Sequence, residues 1–181
     1  MRRDILISSL LGLGVLAVFG MAAGSAEAGS TRYLAFDAKD RTTQALTRGI
    51  TLEVERGLFG GVAVRNLFST SSRGSATFRP GGPSEVRRAL PEGASESGVY
   101  EIVLEGDGRG LARALCPGSQ AAWMVLGRVR QARPLTVHAV GQWPDGKFRH
   151  CVQLNYDYRG EWAFPDGRGS FSEGSAPTGP L

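Results

Sequence analysis

Cys116, His138, His150 and Cys151 are the side chains on which this chain could build reactive chemistry. Thiolate and imidazole are metal ligands, and imidazole is the commonest general base near neutral pH. An even pair of cysteines can instead form a disulfide, and two histidines can serve one ion only if they project from the same face of a sheet. Compartment and strand register therefore decide what these four residues can do.

The compartment is written at the start of the chain. Arg2 and Arg3 precede an apolar run from Ile5 to Ala23, and Ala26-Glu27-Ala28 supplies the small-x-small pattern of a signal peptidase site. Residues 1–28 read as a signal peptide cleaved after Ala28, with Ala26 and Ala28 as the recognised pair. An uncleaved anchor is the rival reading. The run reaches the roughly 17-residue minimum of a membrane span only by including Ser8, Ser9, Gly12, Gly14 and Gly20. The paired arginines resemble a twin-arginine signal, but the very short n-region favours the general secretory route. The chain is therefore expected in the periplasm or outside the cell, without a transmembrane anchor after cleavage. Cys116 and Cys151 are expected to pair there, closing a loop with 34 intervening residues.

The whole chain has 181 residues, with 21 Lys and Arg against 17 Asp and Glu, for a formal charge of +4. Cleavage leaves 153 residues at the same net charge, enough for one real core. The basic residues are scattered instead of forming a stripe, which argues against a nucleic-acid partner.

Period-two alternation dominates the chain beyond residue 28. Ile50, Leu52 and Val54 interleave with polar residues, as do Tyr100, Ile102 and Leu104. Weaker strand patterns cover 33–37, 62–68 and 76–79, and short helices are expected over Ser84 to Leu90, with Ser84 as N-cap, and over Gly110 to Leu115. From residue 166 onward Gly, Ser and Pro predominate, so 166–181 is expected to be a disordered tail after a single β-rich domain at 29–165.

The stretch from Trp123 to Trp162 fixes most detail. Asp145-Gly146 suits a two-residue type I′ turn. Counting outward from it pairs Trp143 with Phe148, Gly141 with His150, Ala139 with Val152, Val137 with Leu154 and Leu135 with Tyr156 on an apolar face. The other face pairs Gln142 with Arg149, Val140 with Cys151, His138 with Gln153 and Thr136 with Asn155. This register puts His138 on the surface and His150 in the core, on opposite faces, and so excludes a two-histidine metal site. A set of Cys116, Cys151 and His138 is conceivable, but oxidation of the thiols competes with it. No metal or other cofactor is expected. A third strand, Trp123 to Val129, is expected to turn Trp123, Val125 and Val129 inward, leaving Met124 and Leu126 outside near Val140 and Cys151, with Leu111 and Leu115 packed on Met124 and Val140.

Other motifs fail on spacing. Gly106-Asp107-Gly108-Arg109-Gly110 lacks the last glycine of a dinucleotide loop, and no serine sits in a Gly-x-Ser-x-Gly elbow. Glu101 and Glu105 on one strand would stand about 13 Å apart, beyond the roughly 5–9.5 Å of glycosidase pairs. Tyr156 and Tyr158 read as core aromatics. Arg128, Arg130 and Arg133 form the densest basic cluster; with His138 and Trp143 they are the residues best placed to bind a ligand, such as an anionic envelope polymer or lipid headgroup.

The expected fold is all-β and mainly antiparallel: a single-domain sandwich or partly open barrel with a C-terminal three-stranded meander, one or two short helices and one disulfide. The expected role is a non-enzymatic envelope binding or accessory module, whose partner is an envelope protein, polymer or small ligand. An envelope-polymer hydrolase and a secreted enzyme inhibitor presenting the Cys116-Pro117-Gly118 loop are the alternatives.

Overall fold

The computed structural model describes residues 31–56, 62–71, 74–96 and 98–163. The expected signal peptide, 1–28, and the expected disordered tail, 166–181, lie outside the described residues. Eight antiparallel strands, each hydrogen-bonded to its predecessor, close into a barrel through β1 and β8. The strands are β1 (Thr31–Ala38), β2 (Gly49–Arg56), β3 (Val62–Ser69), β4 (Ser75–Pro80), β5 (Gly98–Ile102), β6 (Ala121–Leu126), β7 (Leu135–Gln142) and β8 (Phe148–Trp162). The expected sandwich or partly open barrel is thus corrected to a closed one. Closure satisfies the edges that an open sheet would expose. Among the described residues no helix is long and apolar enough to cross a membrane.

An eight-stranded barrel is just wide enough for side chains to fill. Leu34, Phe36, Leu52, Val64, Leu67, Met124, Val137, Leu154 and Tyr156 belong to one buried core that fills this one. Among the described residues three helices sit in the connections: α1 (Arg41–Leu46), α2 (Ser84–Arg88) and α3 (Gly108–Leu115). Leu111, Ala112 and Leu115 of α3 join the main core, so this helix plugs the barrel end where β5 finishes and β6 begins. Pro83, not Ser84, occupies the N-cap of α2, and no side chain caps that helix. Its Val86 instead packs with Trp123, Val125 and Val140 in a second cluster on the outer wall.

That outer cluster reverses the expected faces of β6. Trp123 and Val125 pair with Val140 and His138 and face outward, while Met124 and Leu126 pair with Ala139 and Val137 and face the lumen. Alternation could not choose between the two, because both faces of β6 are apolar: one lines the core and α2 covers the other.

Helix α1 has no apolar period, and capping defines it. The Asp40 carboxylate accepts from the Thr43 backbone N–H at 2.8 Å and from the Asn155 side-chain amide at 3.0 Å, and the Asn155 backbone N–H donates to the Thr43 hydroxyl at 2.9 Å. The Thr43 N–H, then Asn155, hold the Asp40 carboxyl below its ordinary range. A depressed carboxyl pKa contributes stability above its unfolded value, and that contribution is lost as pH falls through the folded value. Asp40→Ala is expected to cost about 1 kcal/mol at pH 7, the usual worth of an N-cap. The gap from wild type should narrow in acid, which urea melts at pH 7 and pH 3 would check.

Candidate functional site

Two places in the barrel gather groups that could act on something else. The first is the barrel mouth at the end away from α3. There the end of β2, the starts of β3 and β5, and the connection after β6 surround a cavity of ≈ 630 Å³. Val62, Tyr100, Leu126 and Val129 give it an apolar floor, and Arg56, Arg128, Arg130 and Gln131 line it with polar groups. Both Arg128 and Arg130 are exposed, and among the described residues neither has an ion-pair partner. Nearby, Glu161 is already engaged: its carboxylate accepts from Arg32 at 2.6 Å and from Gln131. Burial acts to raise its pKa, but the Arg32 and Gln131 hydrogen bonds and the charges of Arg32 and Arg56 outweigh burial and hold it below the usual range.

The sequence cluster Arg128, Arg130 and Arg133 is thus only partly a site. Arg133 is exposed on the same connection but does not line the mouth. Trp143 belongs to the other end of the barrel, where it packs on the main core beneath the Arg149 guanidinium, 5.1 Å from the ring centroid. Trp162 is 45% exposed and stacks on Tyr33 with ring centroids 6.2 Å apart. Arg56, Val62 and Tyr100 are mouth residues that spacing could not find, because barrel closure brings distant strand ends together.

The second place is the outer wall at His138, and it exists because of the β7–β8 register. The pairs from Leu135–Tyr156 to Ala139–Val152 are those expected, but Val140 then pairs with His150, Gly141 with Arg149 and Gln142 with Phe148. Two irregularities account for this. Gly146 N–H donates to the Trp143 carbonyl and Trp143 N–H to the Lys147 carbonyl, with Gly146 at φ 75°, so the loop has three residues, Pro144 to Gly146. This one-residue offset is absorbed by a β-bulge between Ala139 and Val140, where Cys151 is the extra residue. Beyond the bulge the face of every β8 side chain is inverted relative to the two-residue reading.

His150 therefore shares the outer face with His138, which corrects their assignment to opposite faces. His138 is also corrected from the surface: it is 3% exposed, beneath the segment that carries Glu96. Its Nε2 lies 3.2 Å from Glu96 Oε2, and its Nδ1 lies 3.1 Å from His150 Nε2. A carboxylate can only accept, so the hydrogen of a neutral His138 sits on Nε2 and the Nδ1 lone pair points at His150. Burial, then the neighbouring His138, push the His150 imidazole below its ordinary value.

The bulge residue itself forms the disulfide. Cys151 bonds Cys116, the buried C-cap of α3, with Cα atoms 5.4 Å apart. Pro117 and Gly118 come next as an exposed turn, closed by the Ser119 N–H and hydroxyl donating to the Cys116 carbonyl at 3.2 and 2.8 Å. No family model, curated protein or solved structure matches this chain.

Proposed function

We propose that this chain is an exported binding module, stapled by its disulfide, that holds the anionic headgroup of an envelope amphiphile at the arginine-lined barrel mouth. The observation that carries the reading is the mouth itself: an apolar floor of Val62, Tyr100, Leu126 and Val129 beside Arg128 and Arg130. Ligand sites of small barrels commonly sit at such mouths, with apolar walls and a few placed polar groups. The filled lumen supports a ligand held at the rim instead of one swallowed whole. None of the described lining residues is a carboxylate, histidine, serine or cysteine, which favours holding over turnover. The disulfide supports placement outside the cytoplasm.

Titration calorimetry with dihexanoyl phosphatidylglycerol below its critical micelle concentration tests this directly, with the phosphatidylcholine analogue as control. The glycerol lipid should bind and the choline lipid should not, and affinity should fall as salt rises. A double Arg128→Gln, Arg130→Gln variant should lose at least about tenfold, as expected for removing charge-assisted hydrogen bonds. Equal affinity for the two lipids, or an unaffected double variant, would defeat the reading.

A further inference from the structure

We infer that His138 and His150 form a binding site for one borderline divalent transition-metal ion, Cu²⁺ or Zn²⁺, with Glu96 fixing the orientation of His138. The inference rests on the bulge at Cys151, which sets two imidazole nitrogens face to face on the outer wall. His138 Nδ1 and His150 Nε2 are 3.1 Å apart, with ring centroids at 5.2 Å and planes inclined at 59°. An ion with bonds of about 2.0–2.1 Å to both nitrogens would subtend an angle of about 100°. That lies between octahedral and tetrahedral values, so the nitrogen spacing already suits one ion, and on binding the rings turn to aim both lone pairs at a point off the N–N line.

The surroundings of His138 are those of a held ligand. Metal-binding histidines characteristically donate their second ring N–H to a carboxylate, which fixes the tautomer and makes the free nitrogen more basic. Glu96 Oε2, 3.2 Å from His138 Nε2, supplies that contact, and its side chain is 12% exposed. Burial locks the His138 ring, while His150 is only half-buried and gives the ion a route in from solvent. In the metal-free protein with His138 neutral, the hydrogen between the two rings sits on His150 Nε2. On binding, His150 carries its hydrogen on Nδ1 instead, and the ion takes the place of the shared hydrogen. Both rings stay neutral, and no oxidation or reduction is involved. Among the described residues no group of three or more His, Cys, Asp or Glu is placed to ligate one ion, so the two imidazoles are the only protein ligands of the proposed site. Water therefore completes the coordination, leaving positions open to an external ligand.

The test uses tag-free, disulfide-intact protein titrated with CuSO₄ and, separately, ZnSO₄, followed by calorimetry and, for copper, electron paramagnetic resonance. One equivalent of copper should bind, with hyperfine structure from two nitrogens, and zinc should compete for the same site more weakly. His150→Gln, whose fold is checked by circular dichroism, should abolish the stoichiometric binding. Glu96→Gln keeps both ligands and should weaken it by about 10–100-fold, the usual effect of losing such a carboxylate. The inference is overturned if neither ion binds wild type at one equivalent. It is equally overturned if His150→Gln binds as tightly as wild type, or if the copper spectrum reports no imidazole nitrogen. His150 does not line the mouth, so the His150→Gln result is independent of the lipid titration, whereas Glu96 borders the mouth residue Gly127.

Discussion

Reducing the Cys116–Cys151 disulfide is expected to lower the stability of the folded chain by about 4 kcal/mol, the chain-entropy value for a loop of this length. For a domain of this size that corresponds to a fall in Tm of roughly 10 °C. Scanning calorimetry with and without reductant, alongside a Cys116→Ala, Cys151→Ala double variant, measures it. The double variant separates loss of the cross-link from any effect of the reductant. The bond joins two parts of the structure that hydrogen bonding treats separately. Cys116 ends the helix that plugs the barrel, and Cys151 is the unpaired residue of the β8 bulge. Cutting it should loosen both, so hydrogen exchange should rise in α3 and around His150 before the rest of the barrel. An unchanged Tm, with both thiols shown to be free, would mean that packing of Leu111 and Leu115 alone holds the plug.

The disulfide and the far half of the β7–β8 ladder were legible in the sequence, and the near half was not. The reason is local. Asp145-Gly146 fits either a two-residue type I′ turn or the end of a three-residue loop with glycine left-handed, and the flanking alternation accommodates both. A bulge then restores the ladder, so the apolar pairs Ala139–Val152 and Val137–Leu154 look the same under either reading. Only the short stretch between turn and bulge is inverted, and it contains His150 and Phe148. The face of β6 was unreadable for a different reason: Trp123 and Val125 are buried by a helix that comes after β4, a tertiary cover with no local trace. Arg128 and Arg130 could be singled out as a cluster, but their neighbours Arg56 and Tyr100 come from strands far along the chain. Barrel closure juxtaposes such residues; spacing does not. Helix α1 was missed because one capping carboxylate and contacts to Asn155 define it, with no apolar stripe.

Gly108→Ala should destabilise the protein by about 3 kcal/mol, the upper end for forcing an atom into a packed site, although alanine is the better helix former. A Cβ at Gly108 would lie 2.0 Å from the Val103 carbonyl oxygen. This is a matter of space, not of backbone conformation, and the obstacle is main chain. Val103 cannot readily yield, since its N–H donates to the Thr77 carbonyl of β4 at 3.0 Å. The first turn of α3 would therefore have to lift, drawing Leu111 and Leu115 out of the core that they seal. Gly110 supplies the internal control, because it lies two residues further along the same helix and is exposed. Gly110→Ala is expected to stabilise by up to about 1 kcal/mol through helix propensity alone. Opposite signs at the two glycines, read from urea melts, would place the close contact at the start of α3. A Gly108→Ala variant as stable as Gly110→Ala would show that the plug is seated differently. Because the plug and the arginine mouth occupy opposite ends of the barrel, a folded Gly108→Ala protein should bind the anionic lipid as wild type does, separating what holds the barrel together from what it holds.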